Sequence, residues 1–313
     1  LKAKTIKQVI RKKIDAWLET IDDEDLRKQV SENIIITGGC IASMLLNEPV
    51  NDFDIYFRNH DTTRKVADYY VKRFQPKSRK GIPCKIYVDD QDGRVRIIIK
   101  SAGIASEDGA EKDYEYFESQ PEGEATEYVN EVMRDPADIE DVHEETEQAA
   151  LETEDDGKPQ FRPVFMSTNA ITLSHRIQIV LRFYGEPDVI HENYDFAHCT
   201  SYWSSWDSNL VLRLEALEAL LTKELRYIGS KYPICSLIRL RKFIKRGFTI
   251  NAGQVLKMAM QVSELDLTDP NVLEDQLTGV DVAYFREVIE RVREKDPNKV
   301  NSAYLVEIIN RMF

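Results

Sequence analysis

Apolar residues at Ile6, Val9, Ile10, Ile14, Trp17, Leu18, Ile21, Leu26 and Val30 recur every three or four positions. That spacing predicts one or two helices over residues 3–30, each with a single apolar face. The pattern then changes. Residues 33–37 (NIIIT) are a short continuous apolar run, which reads as a buried strand ended by Gly38-Gly39. Residues 40–47 (CIASMLLN) read as a short apolar helix and 49–51 as a turn. Residues 52–57 (DFDIYF) begin in strict alternation, so a strand with one apolar and one acidic face is expected. A helix is expected over 60–75. Strands are expected over 85–88 and 94–100, joined by the turn-rich DDQDG of residues 89–93. After a long polar interval, strands are expected over 163–173 and 177–183, a short helix over 186–192, and a further strand over 194–202. From Asp207 onward Leu210, Leu214, Leu217, Leu220, Leu221 and Leu225 open a helical period that runs to Phe313. The plan is therefore an α/β half followed by an all-helical C-terminal domain. The expected division is an N-terminal helical segment (1–30), an α/β domain (31–206) and a helical domain (207–313).

Charge alters this picture at one place. The 313 residues carry a net charge of -13, yet residues 101–160 alone hold 21 acidic and 3 basic residues. The remainder, with 39 basic and 34 acidic residues, is mildly basic. Segment 104–158 has few aliphatic residues and no sustained period, so it cannot bury enough surface to offset its ordering entropy. It reads as a largely disordered insertion in the α/β domain, with transient helix near 124–132. Two roles stay open for it: a solvated spacer, or an acidic lid that contacts a basic partner or the protein's own cleft. The composition is otherwise ordinary for a soluble globular chain, at 42% apolar and 31% charged. The four cysteines form no CxxC pair, which argues against a disulfide scaffold or a cysteine-rich zinc module and fits a reducing, cytoplasmic compartment. The apolar runs are too short for a membrane span, and the start LKAKTIKQVIRKK lacks a signal-peptide core.

The chemistry concentrates in GGCIASMLLNEPVNDFDIYF, residues 38–57. Residues two apart on a strand point the same way, so Asp52 and Asp54 share a face while Phe53 and Ile55 take the other. Two adjacent carboxylates repel unless a cation lies between them, and Mg²⁺ or Mn²⁺ with oxygen ligands is the usual answer. Glycines opening a helix leave the backbone free to approach a phosphate. The combination suggests metal-assisted phosphoryl transfer from a nucleotide.

This run resembles the motif of the DNA polymerase β-like nucleotidyltransferase superfamily, and in particular the head domain of class II tRNA nucleotidyltransferases and bacterial poly(A) polymerases. Those carry an apolar strand, a Gly-Gly or Gly-Ser turn, a short helix and an Asp-apolar-Asp strand in the same order. Their Arg-Asp pair after the glycines is Ala42-Ser43 here. The later blocks SWDSNL, NAITLS and QIVLRFYGEP are similar to nucleotidyltransferase-like proteins of tailed bacteriophages, which implies the host cytoplasm as location. The resemblance implies an α+β nucleotidyltransferase fold with a mixed sheet, and a two-metal site of three acids, Asp52, Asp54 and a third on a later strand, for which Asp195 in YDF is the candidate. It implies an NTP substrate on Gly38 and Gly39, with Mg²⁺ or Mn²⁺ as cofactor and an acceptor hydroxyl, an RNA 3′ end being favoured. Ser43, one turn into the helix after the glycines, is a candidate phosphate contact or, equally, a packing or surface serine. Separately, Arg239, Arg241, Lys242, Lys245 and Arg246 interleave with Phe243 and Ile244. They form a candidate nucleic-acid-binding helix face or, equally, a solvated one. His198 and Cys199, adjacent on the expected strand, should point to opposite faces and not chelate together. Three functions stay open: an active nucleotidyltransferase, a silent binding or phage-assembly module on the same fold, and a toxin- or defence-type transferase or its counterpart.

Overall fold

The computed structural model describes residues 1–73, 84–90, 93–101, 160–166, 169–267, 269, 272 and 276. The acidic insertion 104–158, its expected helix near 124–132 and most of the chain beyond 267 lie outside the described residues.

The described residues group into two compact units. The first holds residues 1–101, 160–191 and 198–222, and the second holds 192–197 and those from 223 on. In the first unit the N-terminal periodicity gives α1 (Ala3–Glu19) and α2 (Glu24–Ser31). Ile6, Ile10, Ile14 and Trp17 form the buried stripe of α1. Asp23 caps α2 by accepting from the Leu26 amide, and its helix-incompatible role at that point separates the two helices. The Trp17 indole donates to the Tyr70 hydroxyl at 2.7 Å, tying α1 to α4 (His60–Arg73) within one core.

The strands are β1 (Ile34–Thr37), β2 (Phe53–Phe57), β3 (Cys84–Asp89), β4 (Arg96–Ser101), β5 (Pro163–Met166), β6 (Ala170–Leu173), β7 (Ile177–Val180), β8 (Tyr202–Ser204) and β9 (Asn209–Val211). β3 and β4 pair as a separate hairpin, and the other seven form one sheet in the order β5-β6-β7-β2-β1-β8-β9. The β2–β7 pairing is parallel and the rest antiparallel, so the sheet is mixed, as the resemblance implied. β1, wholly apolar but for its last residue, occupies the interior of the sheet between β2 and β8, where all four of its residues are buried. Between β1 and β2 the chain passes through α3 (Gly39–Leu46).

Three sequence expectations change. The single strand expected over 163–173 is two strands, β5 and β6, which pair antiparallel. The helical period expected from Asp207 begins only at α6 (Leu214–Thr222), which follows α5 (Pro187–His191) in the helix order. β9 precedes it because residues 209–211 find a strand partner in β8. The strand expected over 194–202 breaks into an isolated bridge at Phe196 and a 3₁₀ turn over Ala197–Cys199, and only Tyr202–Ser204 is extended. Its backbone partners change along the way. Ile228 and Ala197 amides bond Asp195 and Arg226 carbonyls, whereas the Cys199 carbonyl accepts from Gly38. No regular ladder can run through such a segment, so the alternation argument for His198 and Cys199 does not apply.

The second unit contains α7 (Pro233–Lys245) and α8 (Ala252–Ser263). Phe196 meets Tyr227 and Phe243 edge-on, with ring centroids 5.9 and 5.4 Å apart. Asn251 caps α8 by accepting from the Gln254 amide.

Candidate functional site

Cross-strand register builds the candidate site. Ile171, Ile179, Ile55, Ile36 and Trp203 lie side by side on β6, β7, β2, β1 and β8. All five are buried. One position along each strand the side chains reverse face, and the row reads Thr172, Gln178, Asp54, Thr37. The apolar row commits one face to the core, and this forces the polar row onto the other.

Asp54 pairs directly with Thr37, the residue before the Gly38-Gly39 turn, so the acids and the glycines are neighbours by register. Asp52 lies two residues before Asp54 and shares its face. With its amide nitrogen turned toward the acids, Gln178 donates to Asp52 Oδ2 at 3.3 Å and to Asp54 Oδ1 at 3.1 Å. The two carboxylates therefore converge, as the spacing predicted. All three side chains are half-buried.

Gly38 has φ 92° and ψ -148°, a conformation open to glycine and hardly to any other residue. Its amide donates to the Cys199 carbonyl at 3.1 Å, which turns the chain from β1 into α3. Gly39 is different. A Cβ built there meets no atom within 4 Å, so space lies open at the first residue of α3. Ser43 is buried in α3 at 6% exposure. Cys40, also buried, has its thiol pushed well above the usual range, first by burial and then by the negative charges of Asp54 and Asp52. It stays a neutral thiol, its sulfur 3.8 Å from the Thr37 carbonyl.

Thr37 anchors the end of the polar row. Its hydroxyl donates to the Ser201 carbonyl at 3.0 Å and accepts from His191 Nε2 at 2.8 Å. Burial, with Arg213 adding repulsion against Asp188, lowers the His191 pKa to about 4, so the ring is neutral near pH 7. Gln178, Thr37 and His191 were not marked by the sequence; only the position-two alternation of IQIV hinted at Gln178.

The other sequence candidates lie in the second unit. Asp195 is 7% exposed, accepts from Ser236 Oγ at 2.7 Å and forms a salt bridge with Arg239. Arg239, Arg241, Lys242 and Lys245 are carried by α7, and Arg246 is its C-cap. Among the described residues, no three His, Cys, Asp or Glu side chains gather in a group able to hold a metal ion. Also among them, no helix is long and apolar enough to cross a membrane.

Fold and site thus define an α+β protein with a mixed sheet, in which a Gly-Gly turn at the end of β1 meets a pair of acids at the start of its neighbour β2. The chain belongs to the Gabija anti-defense 2 family, whose signature matches residues 8–223. No curated protein matches it. Among solved structures it is similar to a Thermotoga maritima CCA-adding enzyme complexed with tRNA, at 11% identity and TM-score 0.38, covering 92% of this chain and 57% of that one. It is also similar to the Bacillus stearothermophilus CCA-adding enzyme in complex with CTP, at 10% identity and TM-score 0.34, covering 83% of this chain and 47% of that one. A third similarity is to a CCA-adding enzyme complexed with CTP, at 13% identity and TM-score 0.37, covering 94% of this chain and 52% of that one. The chain spans about half the length of these proteins.

Proposed function

We propose that this protein is a metal-dependent nucleotidyltransferase that counters Gabija defence by moving NMP from an NTP to an acceptor hydroxyl. The observation that carries the reading is the convergence of Asp52 and Asp54 beside the Gly38-Gly39 turn. The open space at Gly39 supports a phosphate approaching the start of α3. The donor set fits a hard divalent cation: two carboxylates and a side-chain amide meet within hydrogen-bond reach. Asp52 and Asp54 would hold it, and a bound Mg²⁺ or Mn²⁺ supplies charge neutralisation at the phosphates. Ser43 and the cations of α7 keep their sequence-derived roles as proposals, with nucleotide and nucleic-acid contacts respectively, and Asp195 is kept as the proposed base toward the acceptor hydroxyl. An RNA 3′ end is the favoured acceptor.

Incubation with each α-labelled NTP, Mg²⁺ or Mn²⁺ and total cellular RNA, beside Asp54→Asn, tests the chemistry. Label transferred by the wild type and absent with Asp54→Asn supports it; label unaffected by that substitution sinks the site. Co-expression with a Gabija system under phage challenge tests the biological role. Protection of the phage by wild type but not by Asp54→Asn joins the two readings. Equal protection by both would favour the binding-module alternative, in which the fold acts without turnover.

A further inference from the structure

We propose, resting on the transferase reading above, that Gln178 stands as the third ligand of the site: its amide holds Asp52 and Asp54 together and offers its carbonyl oxygen to a single divalent cation. Three observations meet on this residue. It lies on β7, which is the parallel neighbour of β2, and pairs directly with Asp54. Its flanking residues Ile177 and Ile179 are fully buried, which fixes Gln178 on the acid-bearing face. One terminal atom of its amide reaches both Asp52 Oδ2 and Asp54 Oδ1, at 3.3 and 3.1 Å.

The chemistry follows from what an amide can do. Two carboxylates side by side repel, and a neutral NH₂ that donates to both relieves the repulsion without an ion. Rotation of the amide by half a turn exchanges nitrogen for oxygen at the same reach. The same three side chains then present oxygen donors only, as Mg²⁺ and Mn²⁺ prefer. Charge sets the number of ions. Two carboxylates and an amide balance one dication; a third carboxylate in place of Gln178 would favour a second. Asp195, the candidate for that third carboxylate, already accepts from Ser236 and pairs with Arg239.

The test is a Mn²⁺ titration of the full chain, read by electron paramagnetic resonance without nucleotide, on wild type, Asp54→Asn, Gln178→Glu, Gln178→Met and Asp195→Asn. Thermal melts without metal check that each variant folds. One Mn²⁺ per chain is expected. Asp54→Asn and Gln178→Met should each weaken binding about tenfold or more, and Gln178→Glu should tighten it by a similar factor. A shift in melting temperature at Gln178→Met with Mn²⁺ affinity unmoved would mean a structural role only and overturn the proposal. So would two ions per chain, binding abolished by Asp195→Asn, or the absence of binding in both wild type and Gln178→Glu. The labelled-NTP assay separates the two claims. Transfer that depends on Asp195 but not on Gln178 keeps the function and removes this inference. Gln178-dependent Mn²⁺ binding without transfer does the reverse.

Discussion

At the scale of single residues, the two glycines before α3 do different things, and substitution separates them. Gly38, at φ 92°, would strain any L-residue, so Gly38→Ala should cost about 1–3 kcal/mol of stability. Gly39 has open space around a would-be Cβ, so Gly39→Ala should leave the melting temperature within a degree or two of wild type, as a ~0.5 kcal/mol effect implies. If a phosphate approaches there, the same change should weaken NTP binding about tenfold, measured by calorimetry. His191 gives a pH signature. Its folded pKa of about 4 lies below the ordinary histidine value of 6.5, so the unfolded chain binds a proton that the folded chain refuses. Stability should therefore fall as pH drops from about 6.5 to about 4, by up to roughly 3 kcal/mol from this group. Denaturant unfolding of His191→Asn across that range should show a flatter curve than wild type. An unchanged slope would mean the ring titrates normally.

At the scale of elements, α1 is held by its buried stripe and not by its caps. Lys2 at its N-cap makes no side-chain bond, and neither terminal turn carries a favourable charge. Trp17, fully buried and bonded to Tyr70, is the largest member of the stripe. Trp17→Ala should cost about 3–5 kcal/mol, a loss legible as a shift in urea midpoint. Trp17→Phe, which keeps most of the volume and loses the indole donor, should cost about 1–2 kcal/mol instead. The periodicity of α1 and α2 was legible along the chain because each helix buries one stripe, although the break between them was not. The stretch 194–202 was not, although it alternates well enough to look like a strand. Its residues divide their hydrogen bonds among partners far away in sequence, Tyr227 and Arg226 on one side and Gly38 on the other. No local pattern records that.

At the scale of the whole molecule, charge is distributed unevenly and this has a measurable consequence. Removing residues 104–158 takes out the 21 acidic and 3 basic residues of the insertion, which moves the net charge from -13 to +5. On a heparin column at low salt the shortened chain should bind and the full chain should flow through. Because the core of the first unit is drawn from residues on either side, Ile6 to Val95–Ile97 and Phe161 to Trp203, the melting temperature should change little. Retention of the full chain as strong as that of the shortened one would show that the acidic segment does not offset the basic remainder.

By itself the sequence determined the α+β class, the Gly-Gly turn, the Asp52/Asp54 pair on one strand face and the amphipathic helices. Each of these follows from spacings of two, three or four residues, which covalent geometry turns into a shared face. Tertiary structure alone decided which strand lies beside the acids. The parallel partner of β2 is β7, more than a hundred residues away, and its register puts Gln178 against Asp54. The same holds for Thr37, His191 and the Asp195–Arg239 pair. Their partners are chosen by how sheet and helices pack, and no local spacing encodes a contact between residues so far apart in the chain.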